Sequence, residues 1–333
     1  MRSREAEFER KLAQTGLWQL PDLLRILPDE TAWLARLCYA ASPVSDWLDT
    51  PPEVFFSCAA HARYLRENVS WTRALPEPLF LAYVLHPRVN NEALCDCRPV
   101  FYAALAERLR GLPEEAAILE INRWCAEHVA YQPTDERTRS ALAVLRAGFG
   151  RCGEESMFAV NVLRACGFAA RQVYVPRWAH CDDNHAWVEV RCGGAWHFLG
   201  ACEPETVLDR GWFNSAAGRA VLVHSRCFGE PEPGADLIGR EGDVVYCNET
   251  ARYADVRRLT VRVTDGNGVP AAGANVDFCV LNNCEWYPAA TVQTDASGMA
   301  ALTCGLGSLR LLARRDGLCC EAFVSPEETG PVV

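Results

Sequence analysis

Three side chains of this chain have the types and the order of a thiol acyl-transfer site. Cys152 opens an apolar run after a glycine-rich approach, in GFGRCGEES at 148–156. Exposed N–H groups at a helix start favour an anion, and such positions lower a thiol pKa from about 8.5 into the range of roughly 3.5 to 7.5. Cys152 is therefore expected to form a thiolate at neutral pH. A nucleophilic cysteine also needs a base and a group that orients the base. His185 begins the alternating run HAWVEV, and Gly193-Gly194 separates that run from WHFLGACEP, the signature of a tight hairpin. A two-residue turn pairs Cys192 with Ala195 and sets His185 opposite Cys202, one step from Glu203. A longer loop would pair His185 with Glu203 directly. Either register brings Glu203 within reach of the imidazole.

These residues need a helix and a hairpin to position them. The segment 152–165 is apolar on most faces (Met157, Phe158, Val160, Val162, Leu163) and is followed by Gly167, which predicts a buried central helix with a glycine C-cap. Strands are expected over 171–178, 185–192 and 196–203. Upstream, Ala117, Ile118, Ile121, Trp124, Cys125 and Val129 recur at helical spacing, and prolines at 28, 51, 52, 76, 78, 87 and 99 divide the region into short helices. The stretch GEPEPGADLIGR at 229–240 has the composition of a connector. Beyond 256, short apolar runs alternate with DGNG, DASG and RDG turns, the pattern of an all-β module. The expected organisation is a helical region at 1–130, a catalytic core at 131–228, a linker at 229–255 and a β-sandwich at 256–333, in the α+β class.

The motifs GRCGEES, NHAWVEV and WHFLGACEP, in that order, resemble the transglutaminase-like superfamily over residues 120–228. The resemblance implies a papain-like core, a central helix packed on an antiparallel sheet, with Cys152 as nucleophile, His185 as general base and Glu203 as orienting acid. The family usually has Asp-Pro where this chain has Glu203-Pro204 after Gly200-Ala201-Cys202. The stretch YQPTDERT at 131–138 also resembles bacterial members. GVPAAGANVDF and TDASGMAAL resemble the carboxypeptidase-regulatory-like or prealbumin-like sandwiches appended to enzymes. Such a core implies attack on an amide carbonyl through a thioester and needs no metal or organic cofactor. Hydrolysis, as by a peptidase or amidase, is favoured over crosslinking to an amine, with a peptide, protein or glycopeptide as substrate.

Within 178–184, WAHCDDN is read as a loop shaping the cleft, with Trp178, Asp183 and Trp187 as substrate-binding candidates; four near-adjacent ligands rarely converge on one metal. With 333 residues, half of them hydrophobic, the chain builds a large core. The net charge of -10 and the lack of a basic block exclude nucleic acid as a natural partner. The apolar run PLFLAYVL is too short for a membrane span, the N-terminus lacks a signal-like apolar stretch, and the 17 cysteines are too scattered for a disulfide framework, so a cytoplasmic location is expected. The reading from another class is a non-catalytic module that uses the same cleft to hold a peptide or glycan.

Overall fold

The computed structural model describes residues 2–333 apart from Glu136 and Thr329, so Glu136 of the YQPTDERT motif lies outside the described residues. The first part of the chain is helical, as the proline spacing predicts. Pro28, Pro43, Pro51, Pro76 and Pro113 each stand just before a helix, where a missing N–H leaves no bond unmade. These helices close over an aromatic core in which Tyr39 stacks on Phe55 at 4.1 Å and meets Trp47 at 4.8 Å. Lys11, fully buried, donates to the carbonyls of Ala40 and Ser42 and to Asp243 at 2.7–2.9 Å. No helix among the described residues is long and apolar enough to cross a membrane.

The central helix spans Cys152–Ala165, and every residue from Glu154 onward is buried. It lies between Phe101, Ile118, Ile121 and Trp124 of the preceding helices and Ala170, Val188 and Val190 of the sheet. Glu154 at its third position accepts from the Arg151 N–H, which caps the first turn. At the other end Gly167 has φ +90°, and a Cβ there would stand 2.1 Å from Thr72 Oγ1, so both conformation and space require glycine.

The sheet is antiparallel and has six strands, in the order Ala195–Leu199, His185–Cys192, Ala170–Val175, His224–Phe228, Val244–Asn248, Leu237–Glu241. Gly193 and Gly194 both have positive φ and close the hairpin with Cys192 opposite Ala195. The expected linker at 229–255 is a correction: its residues complete the sheet. Val245 and Cys247 face the core, Lys11 holds the hairpin from the N-terminal helices, and the Gly/Pro-rich 229–236 is a loop. Such a composition marks a turn as readily as a domain boundary, and here it marks a turn.

Downstream, two sheets form a β-sandwich. One holds Glu285–Gln293, Asn275–Asn282, Leu309–Arg315 and Leu318–Val324; the other holds Met299–Gly305 and Val256–Arg262. Leu259, Val261, Val276, Phe278, Leu302 and Leu311 fill the space between them, together with Val221 and Leu222 from the preceding segment. Asp265 and Asp295 each accept backbone N–H groups within their own loops, so DGNG and DASG are turns, as their sequences predict.

One buried ionic network ties the sheet to residues beyond it. Glu189, fully buried, accepts from Arg171 (2.7 Å), Arg252 (2.8 Å) and the Tyr253 hydroxyl (2.7 Å), while Arg171 also pairs with Glu249 at 2.7 Å. Removing the Glu189 charge takes from the buried Arg171 one of its two carboxylate partners and leaves the Tyr253 and Arg252 contacts weakened. Glu189→Gln is expected to lower unfolding free energy by about 3 kcal/mol, read from urea denaturation. A change under about 1 kcal/mol would place the network's weight elsewhere.

Candidate active site

Cys152 is the first residue of the central helix and is partly exposed. Its thiol is within hydrogen-bond reach of the N–H groups of Gly153, in the same turn, and of Ala186, the residue after His185. The helix end and the start of the His185 strand therefore meet at the sulfur. The expectation of a lowered thiol pKa is corrected. Burial pushes the thiol up, and the Asp183 and Glu155 carboxylates add to it, outweighing the two N–H donors.

His185 is 8% exposed. Its ring lies 4.8 Å from Trp212, 5.1 Å from Phe213 and 5.9 Å from Trp187, and its Nε2 has no hydrogen-bond partner among the described residues. Burial pushes the imidazole down to about 4, with Asp183 acting in the opposite sense. At neutral pH the ring is uncharged and able to accept a proton.

Glu203 does not reach the imidazole in the way the hairpin suggests. The strand Ala195–Leu199 stops before residue 202, and the chain turns at Cys202, which has φ +59°. Asn122, 2% exposed on the helix Glu114–His128, fixes this turn: its Nδ2 donates to the Gly200 and Glu203 carbonyls (2.9 and 3.1 Å), and its Oδ1 accepts from the Cys202 N–H (3.0 Å). The Glu203 carboxylate folds back over Gly200, where an added Cβ would lie 2.2 Å from Oε2. Its other oxygen accepts from Trp212 Nε1 at 2.9 Å. Among the described residues no hydrogen bond joins Glu203 to His185. The Trp212 indole stands between them, its N–H on the carboxylate and its ring on the imidazole.

Two further acids lie behind the thiol. Glu154 is held low by Arg139 and Thr134, each at 2.8 Å, although its burial acts the other way. Glu155 is pushed up to about 8, first by burial and then by Glu203 and Glu154, so it is protonated at neutral pH. Cys202 turns its thiol toward Cys125 and is held well above the usual thiol range by that contact and by burial, which removes it as a rival nucleophile.

Of the substrate-binding candidates, only Asp183 is exposed. Trp178 and Trp187 are 3% and 0% exposed, in a core with Phe213 and Val173, and cannot touch a substrate. The aromatic wall at the imidazole is Trp212, 67% exposed, for which the motif spacing carries no signal. Asn122 did leave one: an amide on an apolar helical stripe needs buried partners. Gln172 likewise ties the sheet to the helix start, donating to the Gly153 carbonyl (2.9 Å) and the Ser156 hydroxyl (2.7 Å).

Residues 103–201 match the family model of the transglutaminase-like superfamily. The match starts within the helix Arg98–Leu109, and the helices 98–128 pack directly on the central helix. Among solved structures the chain is similar to a candidate cysteine protease from Cytophaga hutchinsonii, at 15% identity and TM-score 0.32 over 56% of this chain and 68% of that one. It is also similar to red sea bream transglutaminase, at 12% identity and TM-score 0.30 over 69% of this chain and 57% of that one. No curated protein matches it in sequence.

The space left by Gly200 gives a direct test of the carboxylate's place. Gly200→Ala is expected to displace Glu203 and lower the reactivity of Cys152 about ten-fold or more, with circular dichroism unchanged. An unaltered alkylation rate would show that the site does not use the carboxylate.

Proposed function

We propose that this chain is a cysteine hydrolase acting on amide bonds of a peptide or glycopeptide. The observation that carries the reading is a partly exposed thiol at the N-terminus of a buried helix, reached by the backbone N–H of Ala186, the residue after the uncharged His185. Because burial disfavours a free thiolate and a free imidazolium alike, His185 acts as a general base at the moment of attack rather than through a standing ion pair. It takes the Cys152 proton as sulfur bonds to the carbonyl carbon. The tetrahedral oxyanion is met by N–H groups at the helix start. On collapse the C–N bond breaks, the imidazolium returns its proton to the leaving amine, and a thioester remains. Water then attacks the thioester with His185 again as base, releasing the carboxylic acid and the thiol. Glu203 supports the imidazole through the Trp212 indole.

Cys152→Ala is expected to abolish turnover with the fold intact, and His185→Ala to lose nearly as much. Glu203→Gln should be milder, since the carboxylate takes no proton. At pH 7, iodoacetamide with mass mapping is expected to modify Cys152 about ten-fold faster than the exposed Cys181, Cys284, Cys319 and Cys320. Faster labelling of the exposed thiols would instead support a non-catalytic peptide- or glycan-binding module. Activity requires neutral imidazole, so it should hold as pH falls from 7 and be lost through about pH 4, where His185 becomes protonated. An acid limb at the ordinary histidine value would contradict the buried ring.

A further inference from the structure

The turn of the β-sandwich that joins Asn275–Asn282 to Glu285–Gln293 reaches into the loop that leads to His185. Asn282 is 1% exposed, and its Nδ2 lies 3.0, 2.8 and 3.2 Å from the carbonyl oxygens of Trp178, Cys181 and Asp183. The loop closes on itself around this amide, with the Trp178 N–H on the Asp183 carbonyl (3.0 Å) and the Asp183 N–H on the Cys181 carbonyl (2.9 Å). Converging carbonyl oxygens repel one another and need a shared donor, which here comes from the other module. Next along the turn, the Asn283 N–H donates to Asp182 Oδ1 at 2.6 Å, and the Arg177 guanidinium lies 4.3 Å over the Tyr287 ring. Beside these contacts, a Cβ on Gly307 would stand 2.3 Å from a Val221 methyl and 3.7 Å from the Ala179 Cβ. The sandwich is thus seated on the loop from several sides.

We propose that Asn282 is a positioning residue of the Cys152–His185 site and that the β-sandwich is a working part of that site. The inference rests on the enzymatic reading above. Asn282 sets the 178–183 loop so that the Asp183 carboxylate, two residues before His185, stands where its charge acts on both the imidazole and the thiol. Removing the amide frees the loop and takes that charge from the imidazole. An anion near a titrating group favours its protonated form, so its loss lowers the pH at which the imidazole protonates.

The test measures the rate of Cys152 modification by a pyridyl disulfide against pH in the full-length protein, with Asn282→Ala, Asp183→Asn and the double variant. Each single variant is expected to move the acid limb to lower pH by about half a unit, with the double variant moving no further than either. A purely structural role would lower the unfolding midpoint and leave the limb in place. That result, or additive shifts in the double variant, overturns the proposal. If alanine compromises folding, Asn282→Ser keeps one donor and is expected to give a smaller shift in the same direction; an unmoved limb there also overturns it. If wild-type Cys152 shows no acid limb, the enzymatic reading falls and the positioning role with it. A limb that is present and unmoved removes the positioning role alone.

Discussion

From Glu154 onward the helix Cys152–Ala165 is removed from water on all sides, and its first-turn N–H groups must find partners inside the protein. The Arg151 carbonyl takes the Glu154 and Glu155 N–H groups, and the Cys152 thiol is within reach of the Gly153 N–H. Around that end, Arg139 and Thr134 hold Glu154, and Gln172 holds the Gly153 carbonyl and Ser156. These anchors come from two segments outside the helix: Thr134 and Arg139 from the loop before the helix Ala141–Ala147, and Gln172 from the strand Ala170–Val175. The surrounding parts are therefore fixed by what a buried helix start requires, and the sulfur has its place because that requirement is met.

The same burial decides the electrostatics. A helix N-terminus is worth about 0.3–1 kcal/mol to a nearby anion when exposed, and up to roughly 2 when partly buried. Moving the imidazole from its ordinary value to about 4 corresponds to about 3 kcal/mol against its charged form. Desolvation is the larger quantity at this site, for the thiol as for the imidazole. In the proposed reaction this disfavours a resting ion pair and favours a neutral pair that exchanges its proton during attack. Trp187, Trp212 and Phe213 around His185 are the source of this low-polarity surrounding, so the aromatic cluster sets the protonation state.

Cys152 and His185 were legible in the sequence because local signals place them: a glycine approach and apolar helix for one, a Gly-Gly hairpin for the other. Both elements form as the periodicity predicts, over 152–165 and 185–192. The strand at 244–248 was hidden by the Gly/Pro-rich stretch at 229–240, since pairing with His224–Phe228 is a long-range choice that composition does not encode. Trp178 and Trp187 could be core or cleft by type alone. The packing of Phe213 and Tyr253 onto Trp187 decided it, and those partners come from far along the chain. Asn282 lies in a module without a cluster of catalytic residue types, and its contacts with the 178–183 loop are long-range in the same way.

The departure from Asp-Pro at the acid follows from the shape of the turn. Glycine at 200 leaves the space its side chain would fill, and Glu203 Oε2 occupies it, 2.2 Å from where a Cβ would lie. A left-handed Cys202 and the three hydrogen bonds of Asn122 bring the chain back far enough for this. Glutamate's extra methylene spans a distance from position 203 that aspartate would not. The Glu203 carboxylate thus comes to lie over Gly200, and the indole N–H of Trp212 takes its second oxygen. Glu155 is protonated at neutral pH and adds no second negative charge there; its charge raises the thiol only once it ionises above about 8. The place of the Glu203 carboxylate is set by a glycine, a buried amide and a turn.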